Sequence, residues 1–210
     1  MSPRTPQQFR EIREEKMNLI MDVALEHFSN NGFHATTINH IARHAGISKG
    51  LMYNYFSSKE DLLAEIINRS ITEIYGDLDT NRDGILSADE FEHFLRKAFR
   101  IFREKKKFWK LLYRVMLQPG VLEKVFGEKI NKVNISGKSL REFSEYMTGM
   151  FSNYFSNKKA GSGNSYDPTT EMFMFTNTVK GFAMTYIMAD DFFPEDYFDN
   201  MTEALIKKYK

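Results

Sequence analysis

Two stretches of this chain hold residues whose types and spacing could do chemistry. The first is GDLDTNRDGILSADEF, residues 76–91. Asp79, Asn81, Asp83, Gly84 and Glu90 fit the spacing D-x-[DN]-x-[DN]-G-x5-E of an EF-hand calcium loop. Asp79, Asn81 and Asp83 would offer side-chain oxygens, Ile85 its carbonyl, Ser87 the oxygen two residues on, and Glu90 a bidentate carboxylate. The same residues have a metal-free reading, because Ser87-Ala-Asp-Glu90 is a capping box that starts a helix unaided. The second stretch is TTINHIARHAGISKGLMYNYF, residues 36–56. From His27 to Lys59 there is no Asp or Glu, although the whole chain carries 28. Arg43, Lys49, Lys59 and four histidines (His27, His34, His40 and His44) fall in that span. A surface cleared of carboxylates suits a polyanion, since each cation placed on a phosphate releases a counterion.

The elements that would position these residues are helical. Thr36 or Thr37 offers a hydroxyl cap, after which Ile38, Ile41, Ala42 and Ala45 recur at helical spacing. Gly46 stands where a helix ends on positive φ, Ile47 plugs the turn, and Ser48 caps the next helix. Leu51, Met52 and Tyr55 or Phe56 are the expected inner face of that second helix. Two helices joined by a short turn containing Gly form a helix-turn-helix, whose second helix enters the DNA major groove. Upstream, Thr5-Pro-Gln-Gln8 starts a first helix that runs to about Asn30 with Met17, Ile20, Met21, Ala24, Leu25 and Phe28 on one face. Downstream, Ser57 or Ser58 caps a fourth, with Leu62, Leu63, Ile66, Ile67, Ile71 and Ile74 as its buried stripe.

With the motifs in place, a resemblance is specific. Residues 17–63 resemble the DNA-binding domain of the TetR family of transcriptional regulators. ALEHFSNNGF, TTINHIARHAGIS and KGLMYNYFSSKEDLL fall at the family's spacing. The resemblance implies an all-α fold of about nine helices: an N-terminal three-helix reading head over 1–58 and a C-terminal helical domain over 59–210 for ligand binding and dimerisation. It implies DNA contacts from Thr37, Asn39, Ser48, Lys49, Gly50, Tyr53, Tyr55 and Lys59. Chemistry agrees, as hydroxyls and Lys59 suit phosphates while Lys49 can read guanine O6 and N7. It also implies a homodimer held by helices eight and nine, with Gly181 and Ala183 allowing close approach. A small-molecule pocket is implied between helices five and eight, and Phe102, Trp109, Tyr113, Met116, Met147, Phe151 and Phe175 are its expected lining. Apolar walls call for a small hydrophobic effector.

Composition bounds the rest. The chain has 210 residues and net charge +1, so any DNA affinity is local rather than global. Cysteine is absent, which removes disulfides and thiolate metal sites. No uncharged apolar run approaches a membrane span, and the polar start is no signal peptide, so a cytoplasmic protein is expected. There is no nucleophile–base motif, Gly-rich phosphate loop or His-Glu metal motif, so an enzyme is not expected. Helix five follows from Phe91, Phe94, Leu95, Ala98 and Phe102. Gln118-Pro-Gly120 ends helix six, 157–165 reads as a flexible loop, Asp167-Pro168 caps helix eight and Pro194 opens helix nine. The expected protein is a ligand-responsive repressor that binds a palindromic operator as a homodimer. The alternative is a calcium-binding regulatory or interaction protein, or a regulator whose DNA binding calcium modulates.

Overall fold

The structure, a computed structural model, describes residues 5–121, 123, 134–135, 137–158, 166–189 and 193–210. The loop expected at 157–165 lies mostly outside them. Among the described residues there are nine helices: α1 Pro6–Asn31, α2 Ile38–His44, α3 Lys49–Tyr53, α4 Lys59–Tyr75, α5 Ala88–Glu104, α6 Lys106–Met116, α7 Leu140–Lys158, α8 Pro168–Met188 and α9 Glu195–Tyr209. The one departure from helix among them is a small antiparallel hairpin, β1 Asn134–Ile135 with β2 Lys138–Ser139. The fold is all-α as expected.

The helices begin where local chemistry says they should. Thr5 and Gln8 exchange a capping box ahead of Pro6, and Thr37, Ser48 and Asp167 each accept a backbone N–H from the first turn they start. Ser58 caps α4 through Asp61 N at 3.1 Å.

Chain contacts form two compact units, Met1–Arg69 with Leu111–Val133, and Ser70–Lys110 with Asn134–Lys210. The expected boundary at 58/59 is the start of α4, whose first eleven residues stay with the first unit. The first unit buries Ile20, Ala24, Leu25, Phe28, Phe33, Ile41, Met52, Phe56 and Leu62. The second is built on an aromatic cluster. Phe91 stacks on Tyr154 at 4.6 Å and meets Phe175 at 5.2 Å, and Tyr154 Oη donates to Tyr209 O at 2.8 Å. These contacts tie α5, α7, α8 and α9 together. Each fully buried Phe contributes about 2–3 kcal/mol through removal of apolar surface from water.

Four of the cations between residues 96 and 110 pair with carboxylates. Arg96 pairs with Glu203, Lys97 with Asp77, Arg103 with Asp199 and Lys105 with Glu73. No helix among the described residues is long and apolar enough to cross a membrane.

Candidate nucleic-acid interface

The turn between α2 and α3 is closed by backbone bonds that need Gly46 at φ 65°. Ile47 N reaches Ala42 O at 3.0 Å and Gly46 N reaches Arg43 O at 3.2 Å, the paired bonds of a Schellman end. Ser48 Oγ then accepts Leu51 N at 3.1 Å and starts α3 at once. Met52 and Phe56 carry the inner face, both essentially fully buried. Leu51, expected beside them, is 40% exposed. Neighbouring residues on a helix stand about 100° apart, so Leu51 turns outward where Met52 turns in.

Thr37, Asn39, Ser48, Lys49, Gly50 and Tyr53 are all exposed. A Cβ built on Gly50 meets nothing within 4 Å, so the fold itself leaves room for a side chain there. Thr37 and Ser48 spend an acceptor lone pair on their caps and keep their O–H free to donate. Tyr55 is half-buried and lies under Arg13, whose guanidinium sits 4.9 Å from the ring and donates to Asn54 O at 3.2 Å. Thr36, the other candidate cap, is buried and donates to Gly32 O at 2.8 Å.

Lys59 stands apart from the residues it was grouped with. Its ammonium donates to Phe33 O at 2.8 Å, His34 O at 3.0 Å and Thr36 O at 3.1 Å, and lies 4.8 Å from the centre of the Phe33 ring. A lysine has three donors, and here all three are used on the α1–α2 turn. The cation at the start of α4 holds three carbonyls of that turn.

Spacing along the chain does not show that His27 of α1 meets His44 of α2. The rings of His27 and His44 face each other nitrogen to nitrogen, with centroids 4.6 Å apart, and Asn31 Nδ2 donates to His27 Nδ1 at 3.0 Å. That donor leaves the proton of neutral His27 on Nε2, aimed at His44. Burial, then His44 and His40 with Arg43 adding, lowers the His27 pKa below 6.5, against Glu26. The unfolded chain therefore takes up a proton before the folded one does. Stability from this group is complete above pH 6.5 and is lost as pH falls through the lowered folded value. Urea midpoints of the wild type should fall between about pH 7 and pH 5. His27→Gln should show a shallower fall, and an equal one would remove His27 as the cause.

The calcium expectation at 79–90 finds no support. Asp79 Oδ1 accepts Asp83 N at 3.1 Å, and Asp79 Oδ2 accepts Gly84 N at 3.0 Å and the Tyr146 hydroxyl. Asn81 Oδ1 accepts Asp83 N and Asp83 Oδ1 accepts Ile85 N, at 3.1 and 2.8 Å. Glu90 accepts from the N–H and hydroxyl of both Thr80 and Ser87, at 2.7–3.0 Å. The loop is held by its own donors, and the capping-box reading of Ser87 and Glu90 is the one observed. Among the described residues no three His, Asp or Glu side chains gather as a metal site.

The second unit holds a cavity of about 620 Å³ whose walls include Ile71, Tyr75, Phe94, Phe143, Met147, Phe151, Phe175, Val179 and Lys180. Met147, Phe151 and Phe175 are thus brought together. Phe102 and Trp109 are not among its lining residues and pack edge to face at 5.1 Å, while Tyr113 and Met116 fall in the other unit. Trp109 is buried, and its indole N–H has no acceptor among the described residues.

A capped helix, a glycine turn and a second capped helix with its hydroxyls and ammonium outward define a helix-turn-helix domain. Residues 20–66 match the family described as bacterial regulatory proteins, tetR family. The chain is 38% identical over 74 residues to the HTH-type transcriptional regulator AcrR of Shigella flexneri, covering 35% of this chain and 33% of that protein. It is 34% identical over 76 residues to the HTH-type transcriptional repressor KstR2 of Mycolicibacterium smegmatis, covering 36% and 35%. The match therefore spans about a third of the length of these curated relatives. The whole fold is similar to the crystal structure of the transcriptional regulator FadR from Bacillus subtilis in complex with stearoyl-CoA. That likeness has TM-score 0.62 and 17% identity, and covers 90% of this chain and 95% of that one.

Proposed function

We propose that the protein is a sequence-specific DNA-binding transcriptional regulator, a cytoplasmic repressor that releases a palindromic operator when a hydrophobic effector binds. The carrying observation is the acid-free, outward face of α2 and α3, where Thr37, Asn39, Ser48, Lys49, Gly50 and Tyr53 lie exposed on a rigidly capped pair of helices. Hydroxyls and backbone N–H groups there fix register on phosphate, and Lys49 reads a base edge. Tyr55 supports this face through Arg13.

The effector reading rests on the cavity between α4, α5, α7 and α8. Its aromatic and Met lining suits a long apolar ligand, and Lys180 among its walls suits an acidic headgroup. FadR, the similar fold bound to stearoyl-CoA, makes an acyl effector the first to try. A ligand that binds one state of the second unit better than another shifts operator affinity by that difference.

The dimer reading rests on α8. Met174, Asn177, Gly181, Met184 and Met188 recur at three- and four-residue spacing and are all exposed. Beside them Phe173 is 58% exposed and Tyr197 on α9 is 39% exposed. An apolar stripe of this kind fits a second copy of itself. Ala183 takes no part, since it is 1% exposed and faces inward.

Selection of bound sites from a random duplex pool tests the reading. Inverted repeats should be recovered, and Lys49→Ala should relax preference at its base by about tenfold while leaving stability unchanged. Recovery of no common sequence would count against the proposal.

A further inference from the structure

The α1–α2 turn is gripped from two sides. Lys59 holds it from α4, and Gln118, two residues past the end of α6, holds it from the other side. Gln118 Oε1 accepts Phe33 N at 2.7 Å, and Gln118 Nε2 donates to Phe28 O at 2.9 Å. His34 Nε2 meets the Pro119 carbonyl at 3.0 Å beside them. These bonds join residues 85 to 90 positions apart in the chain. Phe28 O belongs to the last turn of α1, where carbonyls lack helical partners. Phe33 N–H follows Gly32 at φ 87°, the conformation that ends α1. The side-chain amide accepts from one of these groups through its oxygen and donates to the other through its nitrogen. Glu would keep the acceptor and lose the donor, and Met would lose both.

The place of Gln118 in the chain gives the clamp a role beyond capping. α6 begins at Lys106, within the second unit, and its end and Gln118 belong to the first. Gln118 follows the end of α6 by two residues. The turn it grips leads, through buried Thr36, straight to Thr37, the cap that starts α2. We infer that Gln118 is a positioning residue for DNA binding: its amide ties the α1–α2 turn to the end of α6, so that α6 sets the placing of α2 and α3. This rests on the DNA-binding reading above.

The test uses the full-length protein, Gln118→Met and Gln118→Glu, with a duplex from the selection. Three quantities are read: amide exchange at Phe33 and its neighbours, duplex affinity far below each variant's unfolding midpoint, and that midpoint itself. Gln118→Met should exchange Phe33 N–H at least about tenfold faster and bind about tenfold more weakly while fully folded, with an unchanged salt slope because no phosphate contact is lost. Gln118→Glu should lie between, since the Phe33 bond survives, and it serves alone if Gln118→Met does not fold. A lowered midpoint with wild-type affinity in the folded variants would make Gln118 a plain helix cap and overturn the inference. A wild type that binds no duplex would overturn the reading beneath it instead.

Discussion

Lys59→Met should lower the unfolding free energy of the first unit by about 2–4 kcal/mol. The ammonium is the common donor to the Phe33, His34 and Thr36 carbonyls, and charge-assisted bonds of this kind are stronger than neutral ones. A thioether fills the space and supplies no donor. Lys59→Arg should not rescue it, because a planar guanidinium fork cannot reach three carbonyls that converge on one point. Urea unfolding followed by helix signal measures the effect. The alternative role, a phosphate contact, predicts the reverse: unchanged stability, and a salt dependence of DNA binding reduced by about one counterion.

The second large effect is at Glu90. Burial would push its carboxyl up, but the bonds from Ser87 and Thr80 outweigh that and hold it down to about 2, against an ordinary 4.5. That difference corresponds to about 3 kcal/mol of stability. Because the folded value is the depressed one, this stability is present above pH 4.5 and is lost as pH falls toward about 2. Glu90→Gln keeps one acceptor and turns an amide donor toward hydroxyl and N–H groups, so it should destabilise the second unit by about 2–3 kcal/mol at neutral pH. The acid limb of its unfolding curve should also flatten. An equal loss at pH 7 and in acid would mean that the carboxylate charge is not the cause. The donors to Glu90 come from Thr80 and Ser87 of the chain itself, so the wild-type midpoint should be the same with a chelator present.

What the sequence revealed and what it hid follow one physical line. The caps at Thr5, Ser48, Ser87 and Asp167 were legible because a cap is settled within four residues of chain. The helix-turn-helix was legible for the same reason, since Ala45, Gly46 and Ile47 close their turn on Ile41, Arg43 and Ala42. Lys59 and Gln118 were not, because their partners lie 23 to 26 and 85 to 90 residues away. A lysine in an acid-free stretch reads as a DNA contact, and the distant carbonyls it serves leave no local mark. His27 was hidden in the same way, since its partner His44 comes from another helix.

The cavity shows a different limit. Helical periodicity says which side of a helix is apolar and not what that side faces. Phe102 and Trp109 lie on apolar stripes, as Phe151 and Phe175 do, yet only the latter two line the cavity. Ile71 shows the converse. It belongs to the apolar stripe of α4 but is only half-buried, because it borders that cavity.

The central claim is that α2 and α3 meet DNA with the exposed residues between Thr37 and Tyr53. Hydrogen exchange of the wild-type protein, with and without random-sequence duplex in dilute buffer, tests it most directly, as backbone contact with phosphate does not need the operator. Protection should concentrate on residues 36–55 and leave α7 and α8 unchanged. Protection confined to α5–α9, or none anywhere at a duplex excess, would contradict the account.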